Sequence, residues 1–254
     1  TPSTVLRASA GLGYRRASII TDNIWMLATG RKILVTDLND DIEKALTAGG
    51  SLTQDIALGG YSDATRSFDY FRTQLYNTVL ADQEFASADV RIYNTDNRSF
   101  TDTYQVDFQW TALRGLDIFA TFRYTNSLVT LMRDGVAYEV ERPLTSRYKT
   151  LLNLQYATPY RRWVFDVTAQ LNGPMRRPSL DGDLSRAELS PAYPMFYAQV
   201  SRKIRNWEVY VGCENILDYM QKDPILNAAD PFSPAFNSSS VWGPLMGRKC
   251  YIGL

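Results

Sequence analysis

Arginine, lysine, tyrosine and tryptophan side chains in the long polar segments of this chain are the residues best suited to hold a ligand. Arginines can bind anionic oxygens through charge-assisted hydrogen bonds, and aromatic rings can stack on a planar molecule. In these segments the candidates are Trp25, Tyr93, Arg133, Tyr138, Arg176 and Arg177. Each has an alternative role, because loop arginines also bind lipopolysaccharide phosphates or stay solvated, and loop aromatics also pack structurally.

The sequence gives little support to an enzyme or to a metal or cofactor site. Histidine is absent, which removes the usual general base of Ser-His and Cys-His catalysis and the commonest metal ligand. Cys213 and Cys250 are too few for a cysteine-rich zinc site. They can form a cross-strand disulfide or serve as small apolar residues, and we favour the second role. Asp181, Asp183 and Glu188 offer oxygen ligands for Ca²⁺, but their spacing departs from that of an EF-hand.

Composition excludes further classes of protein. The 254 residues carry 27 Lys+Arg and 27 Asp+Glu, so the net charge is zero, and no basic stripe indicates nucleic-acid binding. Mean hydropathy is −0.26 and no apolar run is long enough for a membrane helix. A membrane β-barrel is still compatible with low hydropathy, because only alternate residues of its strands face lipid. The first residues show no signal peptide, so we expect a mature or truncated product.

Strict two-residue alternation is the strongest local signal. Apolar side chains alternate with polar ones without exception over residues 103–112, and the pattern resumes over 116–125 after a tight turn. Further strands are predicted at 5–14, 52–58, 68–79, 148–156, 163–171, 195–203, 207–213 and 249–254. Together they make about ten strands. Residues 40–48 fit either a short loop helix or the upper part of a strand.

The connections between these strands alternate in length. Short ones are predicted near 59–66, 113–115, 157–161 and 203–206, and long ones near 15–44, 82–98, 131–141, 173–192 and 218–245. Outer-membrane barrels have this asymmetry, with brief periplasmic turns and extended outer loops. An even number of strands places both chain ends on the periplasmic side.

Strand length favours a membrane barrel over a soluble sandwich or a lipocalin-like barrel, which explain the alternation equally well. Spanning strands need about 9–11 residues, whereas soluble strands average about 5–6. Tyr and Trp also gather near strand ends, as in an interfacial aromatic girdle; the residues are Trp110, Tyr156, Tyr160, Trp163, Trp207 and Tyr210. The fold class is therefore all-β, an antiparallel transmembrane β-barrel.

The polar strand face has two alternative roles, and it includes the candidate residues Arg123 and Lys149. It can form a ligand path or a contact with an internal plug, or it can be a solvated, mutually hydrogen-bonded wall, which we favour. Its other members are Gln105, Asp107, Asn153, Gln155, Asp166, Gln170, Glu208 and Glu214.

Two parts of the sequence resemble TonB-dependent outer-membrane receptors. The resemblance is carried near the end by Val209-Tyr210-Val211-Gly212-Cys213-Glu214-Asn215-Ile216-Leu217-Asp218-Tyr219, by Val241-Trp242-Gly243-Pro244 and by Gly247-Arg248-Lys249-Cys250-Tyr251-Ile252-Gly253-Leu254. At the start it is carried by Ala8-Ser9-Ala10-Gly11-Leu12-Gly13-Tyr14-Arg15-Arg16-Ala17. Because both ends match, the resemblance is expected to cover the whole chain.

The resemblance implies that residues 1–254 form the C-terminal portion of a 22-stranded barrel. The expected function is TonB-dependent uptake of a siderophore, haem, cobalamin or an oligosaccharide. Implied partners are TonB, through an N-terminal part absent here, outer-membrane lipids with lipopolysaccharide, and a surface lipoprotein. The plug and TonB box have no counterpart, and the chain ends at Leu254 rather than at an aromatic residue. A barrel with a structural, assembly or adhesion role and no translocation is the alternative.

Overall fold

The computed structural model describes residues 3–39, 42–86, 89–178 and 187–254. Asp181 and Asp183, two of the oxygen ligands suggested for Ca²⁺, lie outside these residues. The strands are β1 (Thr4–Arg15), β2 (Lys32–Val35), β3 (Glu43–Gly59), β4 (Ser62–Tyr76), β5 (Thr78–Ala86), β6 (Asp89–Thr95), β7 (Ser99–Leu113), β8 (Leu116–Arg133), β9 (Val136–Glu141), β10 (Tyr148–Ala157), β11 (Trp163–Asn172), β12 (Tyr193–Ile204), β13 (Trp207–Glu214) and β14 (Lys249–Gly253). A short helix, α1 (Ile19–Asp22), and 3-10 turns at Ile24–Ala28 and Pro159–Arg161 complete the elements.

Ten of these strands form one antiparallel meander in the order β1-β3-β4-β7-β8-β10-β11-β12-β13-β14. The ten predicted strands are confirmed, although β3 begins earlier than predicted and β4 runs from Ser62 to Tyr76 rather than over 68–79. Strand β9 extends the sheet only as the partner of β8. Residues 43–48 belong to β3, so the strand alternative holds there. Short turns and long loops alternate as expected, and β1 and β14 are the two edges of the described sheet.

The register places polar and apolar side chains on opposite faces of the sheet. Val106 pairs with Phe122 and Phe108 pairs with Ala120 on the apolar face, while Asp107 and Thr121 pair on the polar face. Apolar-face side chains remain open to the surroundings, for example Val106 at 46% and Phe122 at 45% exposure. A soluble protein rarely exposes an apolar surface of this size to water. In a membrane barrel, lipid covers such a surface.

Two bands of aromatic residues border the apolar face. The upper band is a row of four tyrosines that pair across β4, β7, β8 and β10: Tyr70, Tyr104, Tyr124 and Tyr148. The lower band follows the short-turn side: Trp110, Tyr156, Trp163 and Trp207. On β10 the bands are eight residues apart, about 26 Å along the strand at about 3.3 Å per residue, which matches the apolar band of a membrane barrel.

Tyr210 departs from this arrangement. It was expected among the girdle residues, but it pairs with Ser201 and Gly253 on the polar face. Its ring packs edge-on against Tyr251, with the ring centroids 6.2 Å apart. The cause is parity, because Val211 and Ile252, one residue away on each strand, occupy the apolar face.

Cys213 and Cys250 form a disulfide. They are direct register partners on β13 and β14, on the apolar face with Val211 and Ile252. Our favoured interpretation of the cysteines as separate small apolar residues is therefore wrong. The short strand β14 follows a long loop, and the disulfide ties it to its neighbour.

The long loops fold over the upper end of the polar face. Strands β2, β6 and β5 form a separate three-stranded sheet, with β2 parallel to β6, around Met26, Val90 and Ile92. Loop 215–248 reaches loop 16–42, where Thr29 and Asn237 form an isolated antiparallel bridge. The loop after β1 and the loop before β14 thus meet at the long-loop end of the sheet, which we call the mouth. No helix in the described ranges has the length and apolar character needed to span a membrane.

We predict that Phe108→Arg in the intact protein costs about 2–4 kcal/mol, because the side chain lies between the aromatic bands of β7 and would force a charge into lipid. Gln109→Arg is the matched control, since it changes the adjacent polar-face position and should cost about 0.5 kcal/mol or less. Urea midpoints after refolding into lipid vesicles measure both. Equal losses for the two variants would refute the assignment of the faces.

We predict that Cys213→Ala/Cys250→Ala lowers the free energy of unfolding by about 2–4 kcal/mol, because the bond closes a loop with a sequence separation of 37. The comparison is with the oxidised natural sequence in the same vesicles. A thiol-specific maleimide should label neither cysteine in the non-reduced, denatured natural protein. Labelling of both residues would contradict the prediction.

Candidate functional site

A chamber of about 870 Å³ lies where the loops cover the upper end of the polar face. Its wall consists of polar-face residues near the upper ends of the long strands, including Gly13, Glu43, Leu75 and Leu131. Its roof comes from several loops, and the residues contributed are Asn23, Trp25, Thr78 to Glu84, Arg142, Pro143, Leu144, Pro178 and Ser239. The chamber combines an apolar lining with a few charged groups, as ligand sites commonly do.

A buried ion pair holds two of the loops together beside this chamber. The Arg176 Nη2 atom lies 2.7 Å from Glu84 Oε2, and the two side chains are only 9% and 4% exposed. The Arg176 Nη1 group also donates to the carbonyl oxygen of Glu141 at 3.3 Å. Loop 173–192 is thereby fastened to β5 and to the end of β9. Arg176, expected to contact ligand, has its charge neutralised inside the protein.

Two further arginines donate hydrogen bonds to backbone carbonyl oxygens of β5. Arg133 donates to the carbonyl oxygen of Glu84, and Arg31 Nη1 donates to that of Gln83 at 2.9 Å. Burial lowers the pKa of Arg31 from its usual value, since desolvation disfavours the charged form. Burial also raises the pKa of Asp82, whose Oδ1 accepts from the backbone N–H of Glu84 at 2.8 Å.

The two candidate tyrosines take part in this packing. Tyr93 is 2% exposed and its hydroxyl oxygen accepts from the N–H of Met132 at 3.0 Å. Burial raises the pKa of Tyr93 to about 12. Tyr138 lies beside Arg133, whose guanidinium carbon is 5.6 Å from the ring centroid. Tyr93 therefore joins β6 to the end of β8, and its ring has no free face for a ligand.

The remaining candidates lie in different places. Trp25 lines the chamber and packs on the core of the loop sheet. Arg177 donates to the carbonyl oxygen of Ala187 within its own loop. Arg123 and Lys149 are register neighbours on the polar face of β8 and β10, outside the chamber lining. The structure thus gathers Tyr93, Arg133, Tyr138 and Arg176 around β5, and leaves Arg123, Lys149 and Arg177 apart.

None of the six charged residues that line the chamber was predicted from the sequence: Arg15, Glu43, Lys44, Asp82, Glu84 and Arg142. Glu43 accepts from Arg15 Nε at 2.5 Å and from the N–H of Val79 at 2.7 Å, so both of its carboxylate oxygens are engaged. The backbone N–H of Arg142 donates to the carbonyl oxygen of Ser127 at 2.9 Å, but its side chain has no hydrogen bond or ion pair within the described ranges. Burial lowers its pKa, and the neighbouring Glu43 opposes this shift. Its position just after β9 carries no motif that could have singled it out.

Below the chamber, polar-face side chains bond to one another. Asn153 Nδ2 donates to Asp166 at 3.1 Å and to Thr168 at 2.8 Å, and Arg123 Nε donates to Gln105 at 2.8 Å. This agrees with the favoured interpretation of a mutually hydrogen-bonded wall. Within the described part of the chain, no three His, Cys, Asp or Glu side chains are grouped so that they could hold a metal ion.

The sequence matches no known family, whereas the fold matches solved structures. No family model matches the sequence, and no curated protein matches it significantly. The siderophore receptor PiuA from Acinetobacter baumannii superimposes with a TM-score of 0.61 and 14% identity, over 99% of this chain and 33% of PiuA. The ferric enterobactin receptor PfeA from Pseudomonas aeruginosa, in complex with enterobactin, gives 0.64 and 14%, over 99% and 38%. The copper transporter OprC gives 0.65 and 15%, over 98% and 36%.

The chain has the fold of the TonB-dependent receptor barrel. It spans between 33% and 38% of these three receptors. At such low identity the likeness is one of fold, which the ten-stranded meander and its two faces account for. The predicted resemblance and fold class are confirmed.

We predict that Glu84→Gln destabilises the loop assembly by about 3 kcal/mol, because it removes the buried partner of Arg176 and leaves only the exposed Glu188, 3.9 Å from Arg176 Nε, as counter-charge. The matched control is Glu139→Gln, which removes an exposed partner of Arg98 at 3.6 Å and should cost about 1 kcal/mol or less. Limited trypsin digestion of the outer loops in intact cells reports both changes. Equal cleavage rates in the two variants would show that the buried pair does not hold the loops.

Proposed function

We propose that this chain is the C-terminal part of the barrel of a TonB-dependent receptor, which takes up a scarce ligand across the outer membrane. The ligand is captured in the chamber beneath the outer loops and then passes down the polar face. TonB supplies the driving force through a part of the receptor outside these residues. The apolar face contacts lipid, and loop cations contact lipopolysaccharide. A surface lipoprotein can deliver the ligand.

One observation carries this proposal. The sheet exposes its apolar face and covers only the upper end of its polar face, with loops that enclose a chamber. A soluble sandwich would bury the apolar face against a second sheet and leave the polar face to water. A receptor needs the reverse arrangement, with a lipid-facing exterior and a ligand space at the mouth.

The class of ligand is less constrained than the transport role. PfeA was solved with enterobactin and OprC is a copper transporter, so similar barrels serve different ligands. For this chain we propose a siderophore, haem, cobalamin or an oligosaccharide. We propose no enzymatic step, because no histidine is present and the polar residues of the wall engage one another.

The cross-mouth contact gives a direct test. Thr29 and Asn237 are antiparallel bridge partners, so Thr29→Cys/Asn237→Cys should form a disulfide that locks loop 16–42 to loop 215–248. Leu226→Cys/Asn237→Cys is the matched control, because it cross-links a bridge within loop 215–248 only. Both variants are made in the full-length receptor.

We predict that the cross-mouth lock abolishes receptor-dependent uptake and that a reductant restores it, while the control retains uptake. Uptake is measured for the metal or nutrient whose accumulation falls when the gene is deleted. Uptake by the natural receptor should also stop when TonB is deleted or the proton gradient is collapsed. A deletion strain with no uptake defect, or uptake indifferent to TonB, would refute the transport proposal.

A further inference from the structure

We propose that the chamber selects an anionic ligand and that Arg142 is the residue that binds its negative charge. This proposal rests on the transport function above and deepens it by naming the charge of the ligand. The notable feature is an imbalance of accessible charge. The carboxylates that line the chamber are buried and engaged by hydrogen-bond donors, whereas the Arg142 guanidinium has no partner in the described residues.

The carboxylates that line the chamber are withdrawn into the protein. Glu43, Asp82 and Glu84 are 7%, 2% and 3% exposed. Glu43 is held by Arg15 and a backbone N–H, Asp82 by the N–H of Glu84, and Glu84 by Arg176. Their oxygens therefore repel an entering anion only weakly, since each bound donor compensates the negative charge.

The cations of the chamber are placed differently. Arg15 is exposed but is ion-paired with Glu43 and Asp22. Lys44 pairs with Tyr14 and Tyr76 on the apolar face of the sheet. Arg142 is half-buried and lines the space itself. Arg142 differs from Arg15 because it has no carboxylate within salt-bridge distance in the part of the chain that the structure describes. A partly desolvated guanidinium without a partner binds an anionic oxygen more strongly than a fully solvated one, because less water must be displaced.

The rest of the lining suits the body of such a ligand. Trp25 offers an indole ring, and Val129, Leu131 and Leu144 offer aliphatic surface around the same space. A molecule that combines an anionic oxygen with an aromatic or apolar body matches both features. A neutral, wholly polar ligand would leave Arg142 without a counter-charge and the apolar surface without contact.

The test compares two probes of similar size and different charge in the purified full-length receptor. The trianionic iron(III) tris-catecholate and the uncharged iron(III) tris-hydroxamate are equilibrated by dialysis, and bound iron is measured. We predict that the natural receptor prefers the trianion by about tenfold or more, that Arg142→Gln lowers trianion affinity about tenfold, and that the affinity for the uncharged complex changes less than about twofold. Arg142→Lys should recover part of the loss.

Arg147→Gln is the matched control, because Arg147 lies in the same connection but is ion-paired with Glu141 at 2.9 Å and does not line the chamber. It should bind both probes as the natural receptor does. Equal binding of the two complexes, binding of neither, or an equal effect of Arg142→Gln on both would overturn the proposal. Binding needs no energy source, so TonB-independent uptake would refute the transport proposal while leaving this one intact.

Discussion

Complete pairing of backbone N–H and C=O groups is the constraint on which the rest of this structure depends. A strand in hydrocarbon has no water to satisfy its polar backbone, so each strand must bond to a neighbour on both sides. The meander from β1 to β14 meets this requirement for every inner strand. Long strands, short turns on one side and strict alternation of side chains follow from it, because any slip by one residue would exchange the two faces.

The polar side chains of the wall and of the loops form hydrogen bonds and ion pairs with one another. Lower on the wall, amides, hydroxyls and carboxylates bond to one another, as Asn153 does to Asp166. At the mouth, the loops are joined by charges buried from water, above all Glu84 and Arg176. Such pairs add little net stability but tolerate few alternatives, which suits a cover that must hold one shape over a chamber.

The sequence predicted the parts of the structure that local chemistry determines. Alternation from Tyr104 to Ala112 was sufficient to place β7, and short polar runs located the turns. It did not predict the loop sheet, because β2 pairs with β6 across more than fifty residues and neither strand alternates clearly. Tyr93 was expected to face a ligand, yet it lies in that packing. Arg142 was missed because only the cavity, and not its neighbours in sequence, distinguishes it from other arginines.

The Cys213–Cys250 bond has a consequence for biogenesis. Both sulfurs lie on the surface that we assign to lipid, where a water-borne thiol oxidase has no access. Their oxidation, which passes two electrons and two protons to the disulfide of such an oxidase, must therefore precede burial in the bilayer. The last two strands would then enter the membrane as a covalently closed ribbon. Its register is fixed before the neighbouring strands arrive.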